Sequence, residues 1–318
     1  MPTATASRVL LVGDVNPDLV LRGDVVPRFG QAEQLLDEAS LVIGGSAGIT
    51  AHGFARLDRL VSVVAAVGAD QLGTLVLDAL TAAGVDTDYV LRRADIPTGM
   101  TVVLSRAADR AILTLPGAIP TLTAADALTA IETIPPLCHV HVSALFLQPT
   151  FAAALPRVLA AAHARGLTTS LDTNYDPTGG WLGVDDLLPH LDVLLPNRAE
   201  ALALARQDDV QQAAAALAAA GPLVVVKDGA AGAFAVTSDG RFATVAGRPA
   251  TPLDTTGAGD TFNAALLDSW LANLALEDCL RRAVLAGALS VAAVGGTAGQ
   301  PTRQDLDHLL TAGRAHDH

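Results

Sequence analysis

Residues 254–263 join a glycine-rich turn to a carboxylate, a combination suited to phosphate chemistry. They read Asp-Thr-Thr-Gly-Ala-Gly-Asp-Thr-Phe-Asn and lead into an apolar-periodic segment typical of a helix. Gly257 and Gly259 lack a Cβ, so backbone N–H groups and the positive end of the following helix can approach an anion closely. Asp260 would repel a bound phosphate unless it takes a proton from the group that attacks the phosphorus. The stretch therefore predicts phosphoryl transfer to a hydroxyl.

Other motifs can be tested against the same residues. In the simplest alternative, Asp254 or Thr256 caps a helix and Asp260 complements the helix dipole. A dinucleotide fingerprint would need a third glycine in place of Phe262, and a P-loop would need Gly-Lys-Ser/Thr in place of residues 259–261. The sequence excludes the last two motifs and leaves the helix cap open.

Composition limits the partners. The chain has 318 residues, enough for one large α/β domain, and a net charge of −13. Such a charge disfavours nucleic acid or an anionic membrane as the main partner, because phosphate groups would be repelled. Cys138 and Cys279 stand far apart without a Cys-x-x-Cys pattern, which predicts reduced thiols and no structural zinc. Residues 1–7 lack a leader pattern and no apolar run reaches membrane-spanning length, so we expect a cytoplasmic protein.

The order of apolar and polar runs predicts an α/β fold. Residues 8–13 and 60–67 are short apolar runs typical of buried parallel strands, and helical patterns follow them. This alternation indicates a doubly wound, mainly parallel sheet. Residues 98–104 and 111–115 instead predict a β-hairpin, which we place in a separate small sheet.

Polar residues follow several predicted strands, at the edge where α/β sheets bind ligands. Asp14, Asn16 and Asp18 alternate along one face of an extended segment. Asp172 and Asn174 begin a second such group, for which a plain loop is the alternative. His139 and His141 would share a strand face, but ordinary strand histidines are favoured over a metal pair because no third ligand is near in sequence.

These motifs, in this order, resemble the PfkB or ribokinase-like family of carbohydrate and nucleoside kinases. The resemblance implies one domain over residues 1–318. Its fold would be a ribokinase-like three-layer sandwich, with a mainly parallel central sheet and a small β-sheet lid built from residues 18–42 and 96–117. It also implies ATP and Mg²⁺ as cofactors and a sugar, sugar-like or nucleoside acceptor. By the same resemblance Asp260 is the catalytic base, and the N–H groups of Gly257, Ala258 and Gly259 form the anion hole.

The resemblance also assigns the acceptor site. Residues 43–51 are similar to the family's diglycine signature, but many relatives have Asn at the position of Ile49, and that Asn contacts substrate hydroxyls. The predicted acceptor-binding residues are Asn16, Asp18, Gly44, Gly45, Ser46, Ile49, Asp172 and Asn174.

The nucleotide and metal sites are predicted in the same way. Asn197 and Glu200 match an Asn-x-x-Glu element that orders Mg²⁺ through water, although a capping box would use the same two residues. Asp254 and Thr256 match a monovalent cation site, which would hold K⁺. The predicted nucleotide-binding residues are Lys227, Gly229, Gly232 and Thr256.

Two further questions stay open at the level of sequence. Ile49 and the Gly-Gly-Ser-Ala start of its motif favour a nucleoside kinase as the alternative activity, and a sensor without turnover is the alternative of another class. Relatives often pair through the lid, so a homodimer is a further expectation.

Overall fold

The computed structural model describes residues 7–106 and 109–314. Residues 1–6, part of the segment used to predict the absence of a leader, lie outside this part of the chain. The strands are β1 (Arg8–Val12), β2 (Asn16–Gly23), β3 (Leu36–Gly44), β4 (Val61–Val64), β5 (Ala66–Gly68), β6 (Leu91–Arg93), β7 (Met100–Arg106), β8 (Asp109–Leu115), β9 (Leu137–Ser143), β10 (Thr168–Asp172), β11 (Val193–Leu194), β12 (Leu223–Lys227), β13 (Gly232–Val236) and β14 (Phe242–Ala246). The helices are α1 (Ser46–Arg56), α2 (Gln71–Ala82), α3 (Ala124–Thr133), α4 (Pro149–Ala164), α5 (Arg198–Ala205), α6 (Val210–Ala218), α7 (Ala258–Leu271), α8 (Leu276–Ser290) and α9 (Arg303–Arg314).

A mainly parallel sheet of eight strands forms the centre of the molecule. Its order is β14-β13-β12-β11-β10-β9-β1-β4. Its strands β4, β1, β9, β10, β11 and β12 run parallel to one another. β13 and β14 extend the sheet at the β12 side as antiparallel strands. The carboxyl ends of six strands therefore meet at one edge, where the connecting loops can assemble a site.

Helices cover both faces of this sheet. In β1, Leu10 and Val12 belong to one apolar core and Val9 and Leu11 to the other, because successive side chains of a strand point to opposite faces. Helices α3 to α6 pack on the first face and α1, α2, α7 and α8 on the second. This two-sided burial explains why the strands are continuous apolar runs.

A separate sheet of four strands, in the order β3-β2-β7-β8, comes from the two segments assigned to the lid. The hairpin predicted from residues 98–115 is present as β7 and β8, whose tip at residues 107 and 108 lies outside the described part of the chain. β2 pairs parallel with β7 and antiparallel with β3. We call this the small sheet.

One predicted strand was wrong in extent. Residues 60–67 were expected to form a single strand, but they form β4 in the large sheet and β5, which pairs with β6 in a third sheet of two strands. The run is apolar except for Ser62, which lies inside β4, so its pattern carries no sign of the break. Within the described residues, none of the helices has the length and apolar character needed to cross a membrane.

Candidate active site

The N-terminus of α7 forms a turn shaped by glycine. Gly257 is the residue before the helix and has φ of +71°, a left-handed conformation that favours glycine. A Cβ added there would lie 2.6 Å from Gly296 Cα, so the turn also packs closely against a second loop. Ala258 and Gly259 follow in the first helical turn, where backbone N–H groups lack intrahelical partners. We call residues 254–259 the anion loop, because this geometry suits a bound anion.

Asp260 lies in the first turn of α7, half-buried beneath the anion loop. Its Oδ1 accepts a hydrogen bond from the hydroxyl of Ser46 at the start of α1. Burial and the nearby carboxylate of Asp172 raise the pKa of Asp260 to about 7. A carboxyl group with this pKa can accept a proton near neutral pH.

A buried ion pair lies next to Asp260. Lys227, at the end of β12, donates to Asp172 Oδ2 at 2.5 Å, and Asn263 Nδ2 on α7 donates to the same oxygen. Burial opposes both charges, yet Lys227 lowers the pKa of Asp172 and Asp172 raises the pKa of Lys227. A Cβ added to Gly259 would lie 3.6 Å from Lys227 Nζ, so the ammonium group sits under the anion loop. The pair therefore brings positive charge close to the predicted phosphate position.

The predicted acceptor residues Asn16 and Asp18 lie together on β2 of the small sheet. Asn16 Nδ2 donates to Asp18 Oδ1 at 2.9 Å and also lies 3.3 Å from Thr101 Oγ1 on β7. A Cβ on Gly44 would lie 1.9 Å from Asp18 Oδ1, so a larger residue at this position would displace the Asp18 carboxylate. Burial raises the pKa of Asp18 to about 7. These buried polar groups could exchange their mutual hydrogen bonds for bonds to a ligand's hydroxyls.

The diglycine segment connects β3 of the small sheet to α1. Gly45 has φ of +77°, and a Cβ there would lie 2.6 Å from the carbonyl oxygen of Asp14. The side chain of Asp14 in turn accepts from the N–H of Ala47 at 3.1 Å. This close approach places Ser46 against Asp260, although 214 residues separate them in sequence.

Ile49, another predicted acceptor residue, packs against the glycines of two loops. Its side chain is 3% exposed. A Cβ on Gly296 would lie 2.5 Å from its Cδ1, and one on Gly257 would lie 3.0 Å from its Cγ2. Ile49 therefore fills the space behind the anion loop, where an apolar side chain supports two glycine-containing loops.

Asn197 and Glu200 form a capping box at the start of α5. The Asn197 N–H and Nδ2 donate to the two carboxylate oxygens of Glu200 at 2.8 and 2.6 Å, and the Glu200 N–H donates back to Asn197 Oδ1 at 2.9 Å. Burial and Asp172 raise the pKa of Glu200 to about 7. The capping box predicted as an alternative is thus present, and the role of these residues toward Mg²⁺ stays a prediction.

The predicted cation residues, Asp254 and Thr256, are buried and bonded to each other. Asp254 Oδ1 accepts from the N–H and hydroxyl of Thr256 at 2.9 and 2.7 Å, and its Oδ2 accepts from the N–H of Gly295 at 2.8 Å. Asp254 therefore joins the anion loop to the loop after α8. In the part of the chain that the structure describes, no group of three or more His, Cys, Asp or Glu residues could hold a metal ion.

The two remaining nucleotide predictions fall in the turn after β12. Gly229 and Gly232 both have positive φ, +55° and +108°. A Cβ on Gly232 would lie 2.1 Å from the carbonyl oxygen of Val245. The pairing of β13 with β14 thus requires Gly232, and its part in nucleotide binding stays a prediction.

The two strand histidines share a serine hydroxyl as a hydrogen-bond partner. His139 and His141 are fully buried on β9, and both contact the hydroxyl of Ser170 at 2.7 Å. Burial lowers the pKa of both rings, that of His141 to about 4. They are neutral side chains that pack between the sheet and α7.

Sequence reasoning missed one residue at the edge of the site. Arg110, on β8 of the small sheet, lies 3.2 Å from Thr255 Oγ1 and 3.4 Å from Thr256 Oγ1 through its Nη1. It also acts electrostatically on Asp18. A single arginine in a predicted hairpin carries no sequence signal for this position, which depends on how the small sheet folds over the anion loop.

Comparison with known proteins relates this site to a family. A family model described as pfkB family carbohydrate kinase matches residues 6–303. The ribokinase of Bacillus subtilis is 29% identical over 303 residues, covering 95% of this chain and 99% of that protein. The ATP-dependent ribose-1-phosphate kinase of Halopiger xanaduensis is 31% identical over 314 residues, covering 96% and 98%. The chain thus matches these relatives over nearly their full length.

Solved structures agree with these matches. The structure of Arabidopsis thaliana ribokinase complexed with ribose and ATP superposes with a TM-score of 0.81 at 26% identity, covering 96% of this chain and 98% of that one. This confirms the predicted ribokinase-like sandwich with a mainly parallel sheet and a separate small sheet. The predicted enzyme class is confirmed as well, since the chain belongs to the pfkB family of carbohydrate kinases.

Proposed function

We propose that this kinase transfers the γ-phosphoryl group of ATP to a hydroxyl of a sugar or sugar-like molecule, with Asp260 as the general base. The observation that carries the proposal is the position of Asp260, a carboxylate with pKa about 7 in the first turn of α7, directly behind the anion loop. A carboxylate next to an anion-binding site is electrostatically unfavourable. Its position there is explained if it accepts a proton during the reaction.

In this mechanism Asp260 accepts the proton of the attacking hydroxyl as the bond to phosphorus forms. The N–H groups of Gly257, Ala258 and Gly259 hold the charge that develops on the moving phosphoryl group. Lys227, paired with Asp172, adds positive charge beneath the loop. Full removal of the proton is not needed early, because the transition state is loose.

We assign the acceptor's hydroxyls to Asn16 and Asp18. Both are buried side chains whose present partners are each other and Thr101, groups that a polyhydroxyl ligand can replace. Ile49 is buried against Gly257 and Gly296, and a nucleoside remains the alternative acceptor. The sugar assignment is supported by the carbohydrate kinase family and by the similarity to the Bacillus subtilis ribokinase.

Asn197 and Glu200 are the proposed residues for Mg²⁺, reached through water. Oxygen ligands suit this ion. The pKa of Glu200 is raised to about 7, and a nearby cation would favour its ionised, negatively charged form. When bound, Mg²⁺ would neutralise negative charge on the phosphates of ATP. Lys227, Gly229, Gly232 and Thr256 border the proposed nucleotide position, and Asp254 with Thr256 is the proposed place for K⁺.

We further propose that residues 1–318 act as one unit in which the small sheet closes over the acceptor. Two contacts support closure of the small sheet onto the anion loop and onto the loop after α8. Arg110 reaches Thr255 and Thr256, and a Cβ on Gly295 would lie 2.9 Å from Val42 of β3. A closed lid excludes water and suppresses hydrolysis of ATP without an acceptor.

The opposite face of the small sheet is proposed as a pairing surface between two copies of the chain. Leu41 and Leu113 lie in one cross-strand row and are 43% and 58% exposed. Exposed apolar residues grouped on a sheet favour association. If pairing occurs there, Leu113→Lys converts a dimer to a monomer in light scattering; an unchanged mass excludes this surface.

The test of the proposed function is ADP release from Mg·ATP with a panel of pentoses, hexoses, sugar phosphates, sugar acids and nucleosides. We expect one acceptor class to raise ADP release well above the rate without acceptor. Asp260→Asn, which keeps the side chain's shape, is the matched control and should abolish that increase. Equal ADP release with and without every acceptor, despite ATP binding, would contradict the proposal.

A further inference from the structure

We propose that Ser46 and Asn174, both predicted to bind the acceptor, instead act as positioning residues that hold the general base Asp260. The proposal rests on the proposed function, because it gives these residues a task only if Asp260 is the base. Its geometrical basis is a chain of hydrogen bonds from Asn174 through Ser46 to Asp260.

The direction of each bond in this chain is determined by chemistry. Asn174 Nδ2 donates to Ser46 Oγ at 3.1 Å, and an amide nitrogen can only donate. The amide orientation is set independently, since Asn174 Oδ1 accepts from the N–H of Ala144 at 2.8 Å. The single hydroxyl proton of Ser46 is therefore left for Asp260 Oδ1, which can only accept when ionised.

Asn174 is itself rigidly held. It has φ of +56°, a left-handed conformation that Asn tolerates better than most residues. Its N–H donates to Asp172 Oδ1 at 3.1 Å, while Asp172 Oδ2 is occupied by Lys227 and Asn263. The chain thus begins at the buried ion pair and ends on one oxygen of the base. With Oδ1 occupied, Oδ2 of Asp260 is left to receive the acceptor's proton.

The charges around Asp260 explain why the base needs this support. Burial and the carboxylates of Asp172 and Asp14 favour its protonated form, whereas the Ser46 hydroxyl and the Lys227 ammonium favour the carboxylate. Ser46 is the one of these two that contacts Asp260 directly by a hydrogen bond. Loss of its hydroxyl should therefore reduce the share of ionised base at neutral pH as well as its alignment.

The experiment compares Ser46→Ala, Ser46→Thr and Asn174→Gly with the unmodified enzyme, using the acceptor found in the panel. Asn174→Gly removes the side chain while keeping a residue suited to positive φ. We expect kcat to fall about 10- to 100-fold in Ser46→Ala, the range for one lost hydrogen bond to a charged group. The KM for the acceptor should change less than about twofold, because a group that does not touch the acceptor contributes nothing to its binding.

The pH profile separates positioning from a merely structural role. In Ser46→Ala the acidic limb of kcat/KM should move to higher pH, by about one unit for a lost hydrogen bond to the carboxylate. Ser46→Thr keeps a hydroxyl and should restore most of the activity and the original limb. Asn174→Gly should shift kcat and the limb in the same direction as Ser46→Ala, but less.

Opposite results would overturn the proposal. A large rise in the acceptor KM with unchanged kcat and pH limb would return Ser46 and Asn174 to the acceptor site. Melting curves show whether each variant is folded. If Ser46→Ala does not fold, the kcat and the acidic limb of Asn174→Gly test the proposal. Substantial activity in Asp260→Asn would instead remove the base itself, so failure of the proposed function is distinguishable from failure of this inference.

Discussion

The surroundings of Asp260 predict how turnover depends on pH. Its pKa is raised to about 7 by burial and by Asp172. The base acts when deprotonated, so activity is present above this pKa and is lost as pH falls through it. A group with pKa about 7 is about one-tenth ionised near pH 6 and about nine-tenths ionised near pH 8, which predicts a roughly tenfold rise in kcat/KM over that interval.

The assay is the initial rate of ADP release at subsaturating acceptor and saturating Mg·ATP, measured from about pH 5.5 to pH 8.5 on either side of the expected limb. Asp18 and Glu200 also have pKa values raised to about 7, so they are rival sources of the limb. Asp18→Asn and Glu200→Gln are therefore the controls, and the limb should persist in both. A flat profile, or a limb that disappears in either control, refutes its assignment to Asp260.

Four further variants test the small-sheet contact, the glycine turn and a buried ion pair. Arg110→Gln should raise hydrolysis of ATP in the absence of acceptor and lower kcat, because the small sheet loses its contact with the anion loop; unchanged values for both would dismiss this contact. Gly257→Ala should destabilise the fold by about 1–3 kcal/mol in urea unfolding, whereas Gly259→Ala, whose Cβ meets nothing closer than 3.6 Å, should fold like the parent. Asp268→Ala should cost about 3–5 kcal/mol in the same assay, because it removes the buried carboxylate that pairs with Arg59 and Arg303, and a cost below about 1 kcal/mol would contradict that expectation.

The fold followed from the sequence because its signals are local. Short apolar runs, helical periodicity and glycine-rich turns occur in the same order as the strands, helices and loops. Each can be recognised from its own residues, without knowledge of the segments that pack against it. The antiparallel pairing of β13 with β14 and the break between β4 and β5 could not be predicted from local sequence patterns. Both depend on which strand lies alongside, a property of the assembled sheet.

The site was predictable as a set of loops but not as a set of contacts. The ten residues 254–263 are enough to predict that Asp260 follows a glycine-rich turn. They do not predict its hydrogen bond to Ser46, which is 214 residues away in sequence. Ile49 was given an acceptor role by resemblance, which stays a prediction, and its packing against Gly257 and Gly296 is a contact that the motif does not show. Pairings of this kind arise from close packing of distant segments, for which a single sequence carries no signal.

Transfer of labelled phosphate tests the central claim most directly. The enzyme and Asp260→Asn would each be mixed with γ-labelled Mg·ATP and the acceptor in a single turnover, and the label on the acceptor would be followed over time. The account predicts rapid labelling by the enzyme and a rate at least about 100-fold lower in the variant, with ATP binding unchanged. Labelling at a comparable rate in Asp260→Asn, or label released only as inorganic phosphate by the unmodified enzyme, would contradict it.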